Sequence, residues 1–180
     1  GRNTTFQLQE GVRFQDGTPF NAEAVAFVFN EALAKGFIYV HMLEGLDRVT
    51  PDDEFTVTFH FEDPFAALLS NLSHRSMVVF SPTAYRENGE DWMATNLVGT
   101  GPFIQEELVR GEHLKYRKND DYWQEGKPYL DRVTIRIVTD GSVRSAMLEA
   151  GEVDRTILIN DFDIPRLEAD PRVNVRIIPS

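Results

Sequence analysis

The chain has 180 residues, 42% of them hydrophobic and 26% charged, with a formal net charge of −11 and an isoelectric point near 4.8. That length is one domain, or one domain plus part of another, with enough bulk to fill a core. An acidic surface without a Lys/Arg run argues against nucleic acid as a partner, and the absence of Cys excludes disulfides, thiolate metal sites and Cys nucleophiles.

In chain order, Thr4–Gln9 alternates polar and apolar residues and predicts a half-buried strand. The start, Gly1-Arg2-Asn3, runs straight into that strand with no signal peptide, and reads as a boundary inside a longer chain. Asp16-Gly17-Thr18-Pro19 predicts a turn, and Asn21 caps a helix carrying Ala24, Val25, Val28, Phe29, Ala32 and Leu33, closed by Gly36. Residues 37–49 are ambiguous, a helical turn or irregular chain at Phe37–Met42. Pro51-Asp52-Asp53 is a turn, and Phe55–Phe61 a strand. Pro64 opens a short helix with Phe65, Leu68, Leu69 and Leu72. Met77–Phe80 is a short buried strand, and Pro82 opens a helix to Glu87.

Residues 96–101 are a loop. Phe103–Val109 and Glu112–Arg117 flank Arg110-Gly111 as a hairpin. Residues 119–128 are a polar and aromatic loop. The pattern then changes: strand 133–138, helix 142–150, strand 153–159, helix 161–169, strand 173–178. The expected organisation is an α+β part at 1–128 and a βαβαβ part at 129–180, without internal repeats. No run of 18 apolar residues would span a bilayer.

Most motif-like features have a structural reading. Gly99-Thr100-Gly101 lacks the third glycine of a dinucleotide fingerprint and leads into a strand. The histidines at 41, 60, 74 and 113 never stand four apart, so no zinc-type helical pair exists, and the expectation is no metal and no cofactor. His60 and His113 fall in strands and are expected to face solvent. His41 and His74 lie in irregular stretches that can reach a ligand. The acid pairs Asp52-Asp53 and Asp120-Asp121 sit in turns, and Glu106-Glu107 point to opposite faces of a strand. No serine occupies a nucleophile elbow. Tyr122-Trp123 places two large amphipathic rings in a polar loop, as a binding element or a lid over a core.

Taken together, several strings carry a resemblance. Thr4-Thr5-Phe6-Gln7-Leu8-Gln9-Glu10-Gly11-Val12-Arg13-Phe14-Gln15-Asp16-Gly17-Thr18-Pro19-Phe20-Asn21-Ala22-Glu23-Ala24-Val25 resembles the opening signature of the family 5 solute-binding proteins that serve ABC importers of dipeptides, oligopeptides and nickel. Val98-Gly99-Thr100-Gly101-Pro102-Phe103, Arg117-Lys118-Asn119-Asp120-Asp121-Tyr122-Trp123, Lys127-Pro128-Tyr129-Leu130-Asp131-Arg132-Val133 and Gly151-Glu152-Val153-Asp154 follow in the family's order. Gln9, Gln15 and Arg155 depart from its pattern.

The resemblance implies an α/β, mixed α+β fold of the periplasmic-binding-protein-like type II. Residues 1–128 would be the small subdomain of lobe I, lacking its first strands, and 129–180 part of its large subdomain, with the second lobe of the same chain missing. It implies no catalytic residues. It implies capture of a peptide or other small solute by closure of two lobes, delivery to a membrane permease, and a periplasmic or extracellular location, free or held by a lipid anchor. By the same analogy Tyr39, His41, His74 and Arg75 line the lobe I wall, with Arg75 offered to a ligand carboxylate, while Tyr122 and Trp123 serve the scaffold between subdomains. The competing classes are a hydrolase on an α+β scaffold and a regulatory module that borrows the fold.

Overall fold

The computed structural model describes residues 1–37 and 39–178. It divides into two compact units, one of residues 1–108 and 115–133, the other of residues 109–114 and 134–180. Ile38, within the ambiguous stretch, lies outside the described residues.

The first unit is built on a three-stranded antiparallel sheet in the order β1-β3-β2, from Asn3–Gln7, Thr56–Phe61 and Leu46–Pro51. The central strand β3 explains the layering. Val57, Phe59 and Phe61 alternate toward one face and are buried there. Against them lies helix α1 (Ala22–Lys35), which contributes Ala22, Val25, Ala26 and Phe29 at helical spacing. Phe59 meets Phe29 at 4.9 Å and Phe6 at 5.5 Å, both edge to face. The other face of the sheet is polar. Thr58 Oγ1 lies 2.7 Å from Thr5 Oγ1, Thr56 donates to Gln7 at 2.9 Å, and His60 Nε2 lies 2.8 Å from Thr50 Oγ1. Cross-strand polar pairs of this kind hold register where no apolar burial does.

Helix α1 begins and ends where its sequence demands. The Asn21 side chain accepts from the Ala24 N–H at 3.0 Å, and Gly36 closes the helix in the left-handed region at φ 64°. Strand β2 was not expected: only Leu46 and Val49 of its six residues are large and apolar, and a register shift between Leu46 and Arg48 breaks the alternation. It is an edge strand, which tolerates Pro51 at its end. From α1, Asn30 Nδ2 donates to the Val49 carbonyl at 2.8 Å and its Oδ1 accepts the Val49 N–H at 2.9 Å, so one amide satisfies both groups of that edge residue. Asn30→Ala should cost about 1–3 kcal/mol in urea unfolding, because it strips a donor and an acceptor at once.

Short helices complete the unit: α2 (Leu68–Leu72), α3 (Pro82–Asn88), capped by Ser81, and α4 (Glu90–Met93), which the sequence reading had not assigned. The strand expected at Met77–Phe80 does not form. That segment finds no neighbouring strand, and Val78 is about half exposed.

β4 (Phe103–Val109), β5 (His113–Lys118) and β6 (Arg132–Arg136) make a second three-stranded sheet in chain order, the first two as the expected hairpin. In the second unit, α5 (Gly141–Glu149) is capped by the Asp140 carboxylate, and a short 3-10 turn leads into α6 (Ile164–Glu168). The helices of the expected βαβαβ run are present. The strands at 153–159 and 173–178 are not, because among the described residues neither segment has a strand beside it. Here Leu167 and Ser145 are fully covered and Met147 nearly so, while Ser145 Oγ bonds the Asp163 carboxylate at 3.0 Å.

Candidate functional site

The turn after α1 and the loop after α2 meet on the surface of the first unit. Leu43, 3% exposed, anchors the 3-10 turn Val40–Leu43 in the core. Asn71 of α2 donates its side chain to the Met42 carbonyl at 2.6 Å, and its own carbonyl accepts the His74 N–H at 3.0 Å. One asparagine thus ties the two segments together. No sequence signal marked it, since its role depends wholly on a contact 29 residues away.

On that base three of the sequence-predicted residues converge. The Tyr39 ring lies 5.7 Å from His74 and 6.4 Å from His41, tilted by 42° and 32°. Tyr39 is 40% exposed, His41 is exposed and His74 half-buried. The Ser76 N–H donates to His74 Nδ1 at 3.3 Å, which puts the proton of a neutral imidazole on Nε2. Arg75 follows on the same loop with an exposed side chain. The result is an amphipathic surface of a phenol close to two imidazoles, with Arg75 next to His74 in sequence. Rings of this kind stack on planar or apolar groups and donate from their edges, and a guanidinium matches a carboxylate in two parallel hydrogen bonds. Among the described residues no group of three or more His, Asp or Glu could hold a metal ion.

Three of the strings that carried the family resemblance, around residues 15–18, 99–103 and 119–121, converge elsewhere in the first unit, and their chemistry is structural. Gln15 Nε2 donates to the carbonyls of Gly101 at 3.2 Å and Phe103 at 2.8 Å, while the Gln15 N–H bonds the Gly99 carbonyl at 2.9 Å. Asn119, 5% exposed, donates its N–H to Pro102 and its side chain to Gly101, and folds its own loop by accepting the Asp121 N–H at 3.2 Å. Asp16 accepts both the N–H and the hydroxyl of Thr18, and a hydroxyl bond from the fully buried Ser81. Ser81 Oγ also caps α3 by accepting the Ala84 N–H at 3.1 Å. Three turns distant in sequence are therefore pinned to one another by Gln15, Asp16 and Asn119.

Burial alone would raise the Asp16 pKa, but the bonds from Ser81 and Thr18 outweigh it and hold the carboxyl below its ordinary value. A carboxylate with a depressed folded-state pKa contributes stability above its unfolded value, and that contribution disappears as pH falls through the folded value. The urea midpoint of Asp16→Asn should therefore lie below wild type at pH 7, with the gap closing below about pH 4.

Two shallow clefts flank this scaffold. One, of about 210 Å³, is walled by Trp92, Leu97, Val98 and Ile104; the other, of about 160 Å³, by Arg13, Arg117, Asp120 and Asp121. Both are smaller than the roughly 300–1,000 Å³ of a small-molecule pocket, and neither includes Tyr39, His41, His74 or Arg75. With Tyr39, His41 and Arg75 exposed and His74 half-buried, the candidate site is an open surface. Tyr122 and Trp123 lie 5.7 Å apart, with Trp123 45% exposed. His60 and His113, expected to face solvent, are partly covered: His60 is bonded to Thr50, and the His113 side chain is 15% exposed with Nδ1 3.1 Å from Glu112.

A family model described as bacterial extracellular solute-binding proteins, family 5 Middle, matches residues 1–180. The glutathione-binding proteins GsiB of Shigella flexneri and of Escherichia coli (strain K12) are 32% identical over 182 residues, covering 100% of this chain and 35% of theirs. Among solved structures, the periplasmic binding protein DppA from Helicobacter pylori in complex with the peptide STSA is 28% identical at a TM-score of 0.82, over 95% of this chain and 38% of that one. A nickel ABC transporter structure from Bacillus halodurans is 30% identical at a TM-score of 0.83, over 95% and 34%. The fold is accordingly part of the type II periplasmic-binding-protein fold. The chain spans about a third of the length of the curated relatives it matches.

Proposed function

The chain belongs to the bacterial extracellular solute-binding proteins of family 5, and we propose that it forms one wall of the solute cleft in a binding component of an ABC importer. The whole protein captures peptides or related small solutes outside the cytoplasmic membrane and delivers them to a membrane permease. Residues 1–128 act as the small subdomain of the first lobe and 129–180 as part of its large one. A second lobe of the same protein supplies the opposite wall, and its closure excludes water.

The observation that carries this reading is the convergence of Tyr39, His41 and His74 on an open surface, with Arg75 on the same loop. An open wall of rings and one guanidinium suits a solute that is completed from the other side. It is less suited to catalysis, which needs acid, base or nucleophile held around a reacting atom. Binding without chemical conversion is also what the family's description supports.

Arg75 pairs with a carboxylate of the solute in this reading. In the whole protein, Arg75→Ala should weaken binding of a carboxylate-bearing peptide about tenfold or more by calorimetry, since a charge-assisted bond contributes about 1.5–3 kcal/mol. Its melting temperature should stay unchanged, because the side chain is exposed. Unchanged affinity would remove Arg75 from the site.

A further inference from the structure

The chain carries 29 Asp and Glu against 18 Lys and Arg, yet its acids are unevenly spread. Between Pro64 and Arg86, the longest acid-free run, there is none, and between Ala32 and Leu43 there is none either. These two runs meet at the candidate site. The first carries His74 and Arg75, the second Tyr39 and His41, and Asn71 joins them by its bond to the Met42 carbonyl. Of the acids that bound the runs, Glu31 pairs with Lys35 and accepts from Tyr85, Asp63 pairs with Arg2, and Glu44 and Glu87 are exposed.

The cations of the two runs are not equivalent. Lys35 is engaged by Tyr85, Glu31 and Glu90, and the Arg86 guanidinium lies over the Phe27 ring at 4.3 Å. Among the described residues no carboxylate is paired with the Arg75 guanidinium, which is exposed. On its neighbour His74, Nδ1 accepts the Ser76 N–H, so the remaining ring nitrogen of the neutral imidazole carries the proton. Tyr39 adds a hydroxyl. The surface thus offers donors and one positive charge without an internal counter-charge.

We infer, on the reading that this surface lines the solute cleft, that it selects solutes by the sign of their charge: it takes the anionic, acceptor-rich part of a carboxylate-bearing solute and discriminates against cationic groups and bare divalent metal ions. Closure makes the sign decisive. Once water is excluded, a charge without a partner is costly. A solute carboxylate meets the Arg75 guanidinium together with the His74 and Tyr39 donors. A solute ammonium meets no carboxylate from either run and lies beside a like charge, a repulsion that a low dielectric strengthens. A metal ion finds His74 with one nitrogen engaged and the other protonated. The net charge of −11 repels anions at long range, so the preference arises from these local contacts.

Competitive retention tests it. The whole protein is equilibrated with an equimolar mixture of tripeptides that have Glu, Gln or Lys between two alanines and a free or amidated C-terminus. Mass spectrometry then reads what it keeps through rapid gel filtration. The Glu peptide with a free C-terminus should be enriched at least about tenfold over the amidated Lys peptide, and Arg75→Gln should cut that ratio at least about fivefold with an unchanged melting temperature. A wild-type ratio near one, enrichment of the Lys peptides, failure to keep any Glu peptide, or a ratio that Arg75→Gln leaves intact would each overturn the inference. Tyr39→Ala separates this from the reading beneath it. If that variant lowers retention of every peptide while no sign preference exists, the surface lines the cleft and only the selectivity is wrong. If neither variant changes retention of any peptide, the surface is not part of the cleft and both fall.

Discussion

Residues 1–180 alone, titrated in a calorimeter with dipeptides or with glutathione, should give no saturable heat up to roughly 1 mM solute, whereas the whole protein should bind its solute at least about 100-fold more tightly. The expectation follows from the shape of the wall. A bound small molecule commonly buries about 70–90% of its surface. Tyr39, His41, His74 and Arg75 lie on an open surface, and clefts of about 210 and 160 Å³ in the first unit lie elsewhere and are small. One wall can offer roughly half of the contacts. Micromolar affinity is about −8 kcal/mol and millimolar about −4, so halving the interaction carries binding from the first regime to the second. Micromolar binding by the short chain would mean that the site is complete within it.

The largest effect on stability is expected at Phe59. Its side chain is 2% exposed at the centre of β3 and meets the rings of Phe6 and Phe29 edge to face. Phe59→Ala removes the ring from both contacts and leaves a cavity that the surrounding sheet and helix can only partly close, at a cost of about 3–5 kcal/mol. Against a total of about 5–15 kcal/mol for a domain, that is roughly a fifth of the margin or more, and the thermal midpoint should fall by roughly 10 °C or more. Phe59→Leu, which keeps much of the volume, should lose clearly less. Leu69→Ala is the matched control, because Leu69 is 68% exposed and should stay within about 0.5 kcal/mol of wild type. A loss under 1 kcal/mol at Phe59 would show that the core of the first unit lies elsewhere.

Local signals were legible where each carried its own physical cause. Helix α1 could be read because Asn21, Gly36 and the apolar spacing between them all specify the same element. The 103–118 hairpin could be read because Arg110-Gly111 interrupts two alternating runs, and Gly111 takes φ 78° at the turn. Strand β2 was hidden because its shape is set by a bulge and by Asn30 reaching across from α1. Strands at 153–159 and 173–178 were over-read for the converse reason: alternation describes what a segment can bury, and a strand also needs a neighbour to bond.

The same division runs through the site. No spacing rule links Tyr39 to His74, so the pair was reached only through the resemblance to family 5, and Asn71, which holds their two segments together, was missed. Gln15, Asp16 and Asn119 stood in strings that carried the resemblance, yet their function as pins between distant turns is tertiary. Several of the motifs that carried the resemblance thus serve to pin turns of the first unit together. The residues proposed to meet the solute sit on two connecting segments of that unit.

The most direct measurement is a crystal structure of the whole protein with the solute it retains from expression. The account predicts solute atoms within about 4 Å of at least two of Tyr39, His41, His74 and Arg75, with the remaining contacts from outside residues 1–180. A solute enclosed without touching any of these four side chains would contradict it.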